Sequence, residues 1–264
     1  MHKNAYQEIN LGGVMKKLAV IIFGLFFMAN ITYARPTVVK MCSDPWPPLN
    51  VGKIGEMATG GYGVKALSEV FKRLDIKLEL PIRPWKQCLK LVEHGQMDGL
   101  QSCVYSKERA HYLDTTDPWI IGKGSWYYMK AKFPDGFEWE SYDDFNDYKV
   151  VGYAGSAYGE DVDNAVKRGV LKLHRAKNAE SAIKVLAAGV HDFYLDFNLV
   201  GDYLFESAGL KGKYMSPKKP LYVNSQRFCI GKRSPIHALI PEINEKLSEL
   251  KAEGFIENLF KGMP

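Results

Sequence analysis

Residues 95–119 read GQMDGLQSCVYSKERAHYLDTTDPW. They join a short apolar strand pattern to a turn of Ser, Lys and Glu that carries one arginine, Arg109. A second stretch, GVHDFYLDFN at 189–198, repeats the strand pattern and ends its apolar run on Asp196. A guanidinium offers two parallel hydrogen bonds to a carboxylate, and a carboxylate is a natural partner for an ammonium. Opposite charges at two strand ends therefore predict a site for a zwitterion held between two lobes.

Strand and helix patterns alternate along the rest of the chain. Strand patterns occupy 37–42, 76–82, 98–104, 149–153, 171–174, 191–196 and 221–231. Helical patterns, with apolar residues every three or four positions, occupy 62–74, 85–94, 158–168, 178–188 and 239–252. Strands alternating with helices predict parallel sheets with crossover helices, and two successive sets predict an α/β chain of two lobes. Between the sets, the Pro-bounded segment 117–131 is expected to act as a connection.

The amino terminus has the parts of an export signal. Lys16 and Lys17 precede the apolar run LAVIIFGLFFMANI, and small residues lead up to Ala34. We expect residues 1–34 to be a signal peptide, with translation starting at Met15 and a mature protein in the periplasm. The alternative is a membrane anchor, but the apolar run is shorter than the roughly 20 residues that span a bilayer.

Composition is typical of a globular protein. Hydrophobic residues make up 46% of the chain and aromatic residues 12%, which is ample for one large domain or two lobes. The net charge of +5 falls to +3 without residues 1–34, which hold three Lys and one Glu. This small, scattered excess argues against a nucleic-acid partner.

Four cysteines lie in the exported part, at positions 42, 88, 103 and 229. An even count in an oxidising compartment favours disulfides, with free buried thiols as the alternative. Four cysteines allow three pairings, and their spacing does not choose among them. There is no C-x-x-C pair and the six histidines are dispersed, so neither a metal site nor a cofactor is expected.

Several motifs follow one another in a recognisable order. They are CSDPWPPLN at 42–50, GGYGVKALSEVFKRL at 60–74, the stretch 95–119, VVGYAGSAYGE at 150–160 and GVHDFYLDFNLVGDYL at 189–204. In this order the chain resembles a family 3 extracytoplasmic solute-binding protein, the group that delivers polar amino acids to ABC importers. The resemblance implies a two-lobed periplasmic binding protein fold of type II, in which a hinge closes a ligand cleft. Lobe 1 would hold 35–121 and 223–264, and lobe 2 would hold 122–222.

The resemblance assigns roles to the two charged residues. Arg109 matches the arginine that binds the ligand α-carboxylate, and Asp196 matches the acid that accepts the α-ammonium. The plainer alternatives are a surface arginine in a turn and a carboxylate at a strand end.

The resemblance also assigns ligand-binding roles to three uncharged residues and to one aspartate in a loop. Trp46 matches the aromatic residue that stacks on the ligand side chain, although a tryptophan between prolines is also typical of a core. Ser102 and Ser156 match positions that hydrogen-bond the ligand, and backbone N–H groups of 155–157 could receive its carboxylate. Asp44 is a further contact, with turn capping as the alternative.

The chain departs from the family pattern at three positions. Val104 and Ala157 stand where the family often has Ser or Thr, and Lys65 stands where many members carry an acid. Each lost hydroxyl removes a ligand hydrogen bond worth roughly 0.5–1.5 kcal/mol.

The string PWKQCL at 84–89 resembles a P-W-x-x-C-L branch of the family. Members of that branch keep one cysteine in the first strand and another in this motif. The resemblance thus implies Cys42–Cys88 and, by remainder, Cys103–Cys229, with both bridges in lobe 1.

The expected function is non-enzymatic binding of an amino acid or related zwitterion by a monomer that partners an ABC permease of the inner membrane. Aromatic residues expected near the cleft, Trp46, Tyr105, Trp119 and Tyr158, hint at an aromatic, cationic or planar ligand side chain. One alternative is an enzyme like cyclohexadienyl dehydratase, which needs a carboxylic acid of raised pKa that the sequence does not mark. Another is a ligand sensor, although sensors usually continue into a membrane helix and a kinase.

Overall fold

The structure is a computed structural model that describes residues 35–154, 156 and 158–261. The predicted signal peptide at 1–34 lies outside these residues. Among the helices that the structure describes, none has the length and apolar character that a membrane span requires.

The described chain alternates strands and helices, largely where the sequence predicts them. The strands are β1 Val38–Cys42, β2 Lys77–Glu79, β3 Gly99–Cys103, β4 Leu113–Met129, β5 Val150–Tyr153, β6 Leu173–Ala176, β7 Phe193–Phe197, β8 Tyr214–Met215 and β9 Tyr222–Gly231. The helices are α1 Tyr62–Arg73, α2 Trp85–Glu93, α3 Glu160–Lys167, α4 Ala179–Ala187, α5 Asn198–Ser207, α6 Ile240–Ala252 and α7 Phe255–Leu259. Short 3₁₀ helices occupy Tyr142–Phe145 and Pro235–Leu239.

One mixed sheet runs through the fold in the order β2-β1-β3-β9-β4-β7-β5-β6, with β8 paired to β4. Its two ends are parallel, since β1 pairs with β2 and β3, and β5 pairs with β6 and β7. The long central strands β4 and β9 pair antiparallel with each other. Two parallel groups joined by two long strands make the two-lobed α/β binding-protein fold. The boundaries proposed at 121/122 and 222/223 stay a prediction.

The segment 117–131, to which the local pattern assigned no strand, lies largely in β4, which ends at Met129. Pro118 lacks a backbone N–H, yet it sits in this strand because the pairing with β9 shifts register on both sides of it. Helix α5 was not predicted either. It contains Gly201, which weakens a helical pattern, but a Cβ there would lie 2.4 Å from the Tyr127 ring.

Two disulfide bonds cross-link the end of the sheet that carries β1, β3 and β9. Cys42 is bonded to Cys88 across a Cα–Cα distance of 5.5 Å, and Cys103 to Cys229 across 6.1 Å. This is the pairing that the family branch implies. All four cysteines are buried in a common apolar cluster with Val92. The ends of β1 and β3, which lead into candidate site residues, are therefore held covalently.

Candidate functional site

A small cavity of about 50 Å³, here called the inner cavity, lies between the two parallel groups of strands. All six site residues predicted from the sequence line it: Arg109, Asp196, Trp46, Ser102, Ser156 and Asp44. They come from the carboxyl-terminal ends of β1, β3, β5 and β7 or from the loops that follow, where ligands of parallel sheets bind. Their contacts with a ligand stay a prediction.

Asp196 is the most deeply buried charged residue of the inner cavity. It is the penultimate residue of β7 and is 1% exposed. One carboxylate oxygen accepts a hydrogen bond of 2.7 Å from the Phe197 N–H, and the other accepts one from the Tyr194 hydroxyl. Burial raises the pKa of Asp196 to about 7, although both hydrogen bonds act in the opposite direction. Near neutral pH this carboxyl group can therefore lose its proton when a cation binds beside it.

Asp44 brings a second carboxyl group into the same cavity. It follows β1 in a segment closed by reciprocal 3.0 Å hydrogen bonds between the backbones of Trp46 and Asn50. Loss of water raises the pKa of Asp44 to about 7, and the charge of Asp196 raises it further. The sequence marks no acid of raised pKa, whereas the structure places two in one cavity.

The same segment carries two buried polar side-chain atoms, one on Trp46 and one on Asn50. The Trp46 ring packs against Phe197 with centroids 6.0 Å apart, and its indole Nε1 is buried. Asn50 donates from Nδ2 to the Ser43 hydroxyl at 2.5 Å, while its Oδ1 is also buried. Asn50 Oδ1 makes no hydrogen bond within the described ranges, whereas the Trp46 indole faces Asp196 and lowers the pKa of that carboxyl group. Because a buried acceptor is costly to leave unpaired, Asn50 Oδ1 is well suited to bind a polar ligand.

Arg109 lies in the turn between β3 and β4. Its backbone N–H donates to the Ser106 carbonyl at 2.9 Å, and its guanidinium carbon lies 5.6 Å from the centre of the Trp85 ring. Burial lowers the pKa of Arg109, while Tyr112 and Asp163 act in the opposite direction. An arginine stays charged in spite of such a shift. The inner cavity therefore holds one permanent cation and two carboxyl groups that titrate near pH 7.

The two predicted serines differ in how they are already bonded. Ser102 donates its hydroxyl to Gln226 Oε1 at 2.9 Å and accepts from Trp119 Nε1 at 3.3 Å, so its proton is used within the protein. The Ser156 carbonyl accepts a bond of 2.9 Å from Arg175. The residues on either side of Ser156, whose N–H groups were expected to receive a carboxylate, lie outside the described residues.

The aromatic residues expected near the cleft divide into two groups. Trp46 and Tyr158 line the inner cavity. Tyr105 does not line it and is 56% exposed, and Trp119 is a core residue at 1% exposure that reaches the site only through Ser102.

Sequence reasoning missed several residues of the inner cavity: Asn50, Trp85, Tyr153, Tyr222 and Gln226. The first three lie in motifs that the resemblance quotes and could have been found there. Tyr222 and Gln226 belong to β9, which returns to the site from far along the chain, and no local pattern announces them. Among the described residues, no three His, Cys, Asp or Glu side chains are grouped to hold a metal ion.

Comparison with known proteins identifies the family of the chain. The family model of the bacterial extracellular solute-binding proteins, family 3, matches residues 39–262. The "Probable amino-acid-binding protein YxeM" of Bacillus subtilis (strain 168) is 22% identical over 200 residues, which are 75% of this chain and 74% of that protein.

Solved structures share the fold at low identity. An ancestral arginine-binding protein bound to arginine superposes with a TM-score of 0.71 at 17% identity, covering 85% of this chain and 97% of that one. An ancestral amino-acid-binding protein described as a precursor of cyclohexadienyl dehydratase gives 0.69 at 18% identity, covering 85% and 94%. At this low sequence identity, the two structural matches show a shared fold.

Proposed function

Because the chain belongs to the bacterial extracellular solute-binding proteins of family 3, we propose that it binds an amino acid in the inner cavity. The observation that carries the proposal is that Arg109 and Asp196, distant in sequence, line the same small cavity with opposite charges. The relatives named as binding an amino acid, among them the arginine-bound ancestor, support the same ligand class.

In this proposal the guanidinium group of Arg109 binds the α-carboxylate of the ligand, and the carboxylate of Asp196 accepts hydrogen bonds from its α-ammonium group. The ammonium replaces the proton that Asp196 holds near neutral pH, so binding restores a charge pair where burial disfavours a lone carboxylate. Trp46 covers the ligand side chain, and Asp44 offers a second anionic contact. Since one ligand contacts both lobes, it stabilises the closed cleft, and the closed form delivers the amino acid to an ABC permease from the periplasm.

A thermal-shift screen of the purified protein against the common amino acids tests the proposal. An amino acid at 100 times its dissociation constant stabilises the protein by about 2.7 kcal/mol. Arg109→Gln and Asp196→Asn should each remove the shift, whereas Arg233→Gln, a change at an exposed position outside the inner cavity, should keep it. Unchanged binding in both site variants would refute the assigned roles.

A second candidate function is dehydration of a cyclic acid. It is favoured by the two carboxyl groups with a pKa of about 7, because a protonated carboxyl group can donate its proton to a leaving hydroxyl. Incubation with prephenate, followed by absorbance of the aromatic product, tests it. Turnover that disappears in both Asp44→Asn and Asp196→Asn would establish the enzyme, and no turnover above the uncatalysed rate would exclude it.

A further inference from the structure

The inner cavity adjoins a much larger groove of about 1120 Å³. Four residues, Asp44, Trp46, Trp85 and Tyr153, line both spaces, so the two spaces adjoin one another along these side chains. One side of the groove is formed by segments 45–54 and 84–86. The other side is formed by helices α4 and α5 and the residues beside them. A ligand whose head occupies the inner cavity would reach the groove by passing these four residues.

The sizes of the two spaces suit different parts of one molecule. The inner cavity, at about 50 Å³, has room for a small polar head, whereas the groove exceeds the roughly 300–1,000 Å³ of pockets that hold drug-sized ligands. A free amino acid with a short side chain would leave the groove filled with water.

The groove walls are largely apolar. Ile54, Pro84, Trp85, Ile183, Leu204 and Leu210 line it. Ile54 and Tyr203 are large hydrophobic residues of the groove that remain exposed to solvent. Covering such a surface is favourable in proportion to the apolar area removed from water.

The groove also carries an excess of positive charge. Lys53 and Lys86 lie on one side of the groove, and Lys177 and Lys184 lie on the other. Lys184 is 3.7 Å from Glu180, but Lys53, Lys86 and Lys177 form no side-chain hydrogen bond or ion pair with any residue the structure describes. Cations on both sides of the groove attract an anionic group that enters it.

We propose that the ligand is an α-amino acid with a long apolar side chain ending in a carboxylate, whose tail occupies the groove. This inference rests on the proposed function, since the amino-acid head must occupy the inner cavity. The apolar walls bind the methylene chain, and the unpaired lysines bind the terminal carboxylate.

Isothermal titration with two matched ligand series tests the proposal. The acid-tipped series is L-2-aminoadipate, L-2-aminopimelate and L-2-aminosuberate, and the methyl-tipped series is L-norleucine and L-2-aminooctanoate. Two added methylenes should raise the affinity of the acid-tipped series about tenfold. Acid-tipped ligands should also bind more tightly than methyl-tipped ligands of similar length.

Charge-removing variants separate the groove from the inner cavity. Lys53→Gln, Lys86→Gln and Lys177→Gln combined should weaken acid-tipped ligands about tenfold and leave methyl-tipped ligands unchanged. Lys172→Gln, an exposed position outside the groove, is the matched control and should change neither series.

Two negative results are distinguishable. If short amino acids bind through Arg109 and Asp196 but neither chain length nor the three lysines matter, the groove inference is wrong and the proposed function stands. If no member of either series and no common amino acid binds, both are overturned.

Discussion

At the residue scale, the decisive property of the site is the burial of Asp196. A carboxylate with two hydrogen bonds would ordinarily have a low pKa, yet loss of water outweighs both bonds and raises it to about 7. Asp44 adds a second carboxyl group with a pKa of about 7. Burial also raises the pKa of the Tyr153, Tyr158 and Tyr222 hydroxyls, which at an ordinary pKa of about 10 are already neutral at pH 7.

This state of Asp196 makes amino-acid affinity depend on pH. Only the ionised carboxylate accepts an ammonium, so affinity should rise as pH rises through 7 and then level off. With a pKa of about 7 in the unliganded protein, binding at pH 6 should be about tenfold weaker than at pH 8. Titration calorimetry at both pH values, in buffers of different ionisation enthalpy, counts the protons released.

Asp44→Asn is the control for this dependence, since it removes the second carboxyl group with a pKa of about 7 and leaves Asp196 in place. If the dependence belongs to Asp196, it should persist in this variant. Equal parental affinity at pH 6 and pH 8 would contradict the role of Asp196 as the ammonium acceptor.

At the scale of elements, β4 depends on two glycines that face rings on its neighbours. A Cβ on Gly122 would lie 2.1 Å from the Phe197 ring, and one on Gly124 would lie 2.1 Å from the Tyr222 ring. The string GKGS at 122–125 is therefore a packing requirement of the long strand, because both rings lie against the β4 backbone. Tyr222 also lines the inner cavity, which couples this packing to the site.

Gly124→Ala should push the Tyr222 ring towards the inner cavity. We expect a loss of stability of about 1–3 kcal/mol from overpacking, together with weaker ligand binding. Gly60→Ala is the matched control, because a Cβ at Gly60 meets no atom within 4 Å. Thermal melting and calorimetry of both variants check the prediction, and equal behaviour of the two would contradict it.

At the scale of the whole molecule, two ion pairs cross from the turn that holds Arg109 to helix α3. Lys107 lies 2.7 Å from Glu160, and Lys167 lies 2.5 Å from Glu108. In the proposed lobe division these pairs join lobe 1 to lobe 2 beside the inner cavity. They should therefore favour the closed form to which the ligand binds.

All four side chains are exposed, so each ion pair should contribute little to the stability of the closed form. Lys107→Gln should weaken ligand binding by less than about fivefold at low salt, and 0.5 M NaCl should abolish the difference from the parent. A double-mutant cycle with Glu160→Gln measures the coupling. No coupling at low salt would show that the pair does not act as a closing contact, and a coupling that survives high salt would contradict the expected screening of an exposed ion pair.

The sequence predicted the elements that depend on neighbouring residues and missed those that depend on contacts between distant segments. Helix α1 and strand β7 were predicted because their apolar periodicity is written in consecutive residues. Strand β4 was misread because Pro118 and the glycines look like breakers until β9, Phe197 and Tyr222 are in place. Helix α5 was missed because the need for Gly201 comes from Tyr127 on another element.

The sequence by itself determined the two-lobed α/β class, the family and the identities of six residues that line the inner cavity, because these depend on local patterns and ordered motifs. Tertiary structure alone decided that burial raises the pKa of both Asp44 and Asp196 to about 7, that Tyr222 and Gln226 complete the inner cavity, and that a lysine-rich groove adjoins it. These features depend on burial and on distances between segments far apart in the chain. No stretch of sequence carries them, because water is excluded only where distant segments pack together.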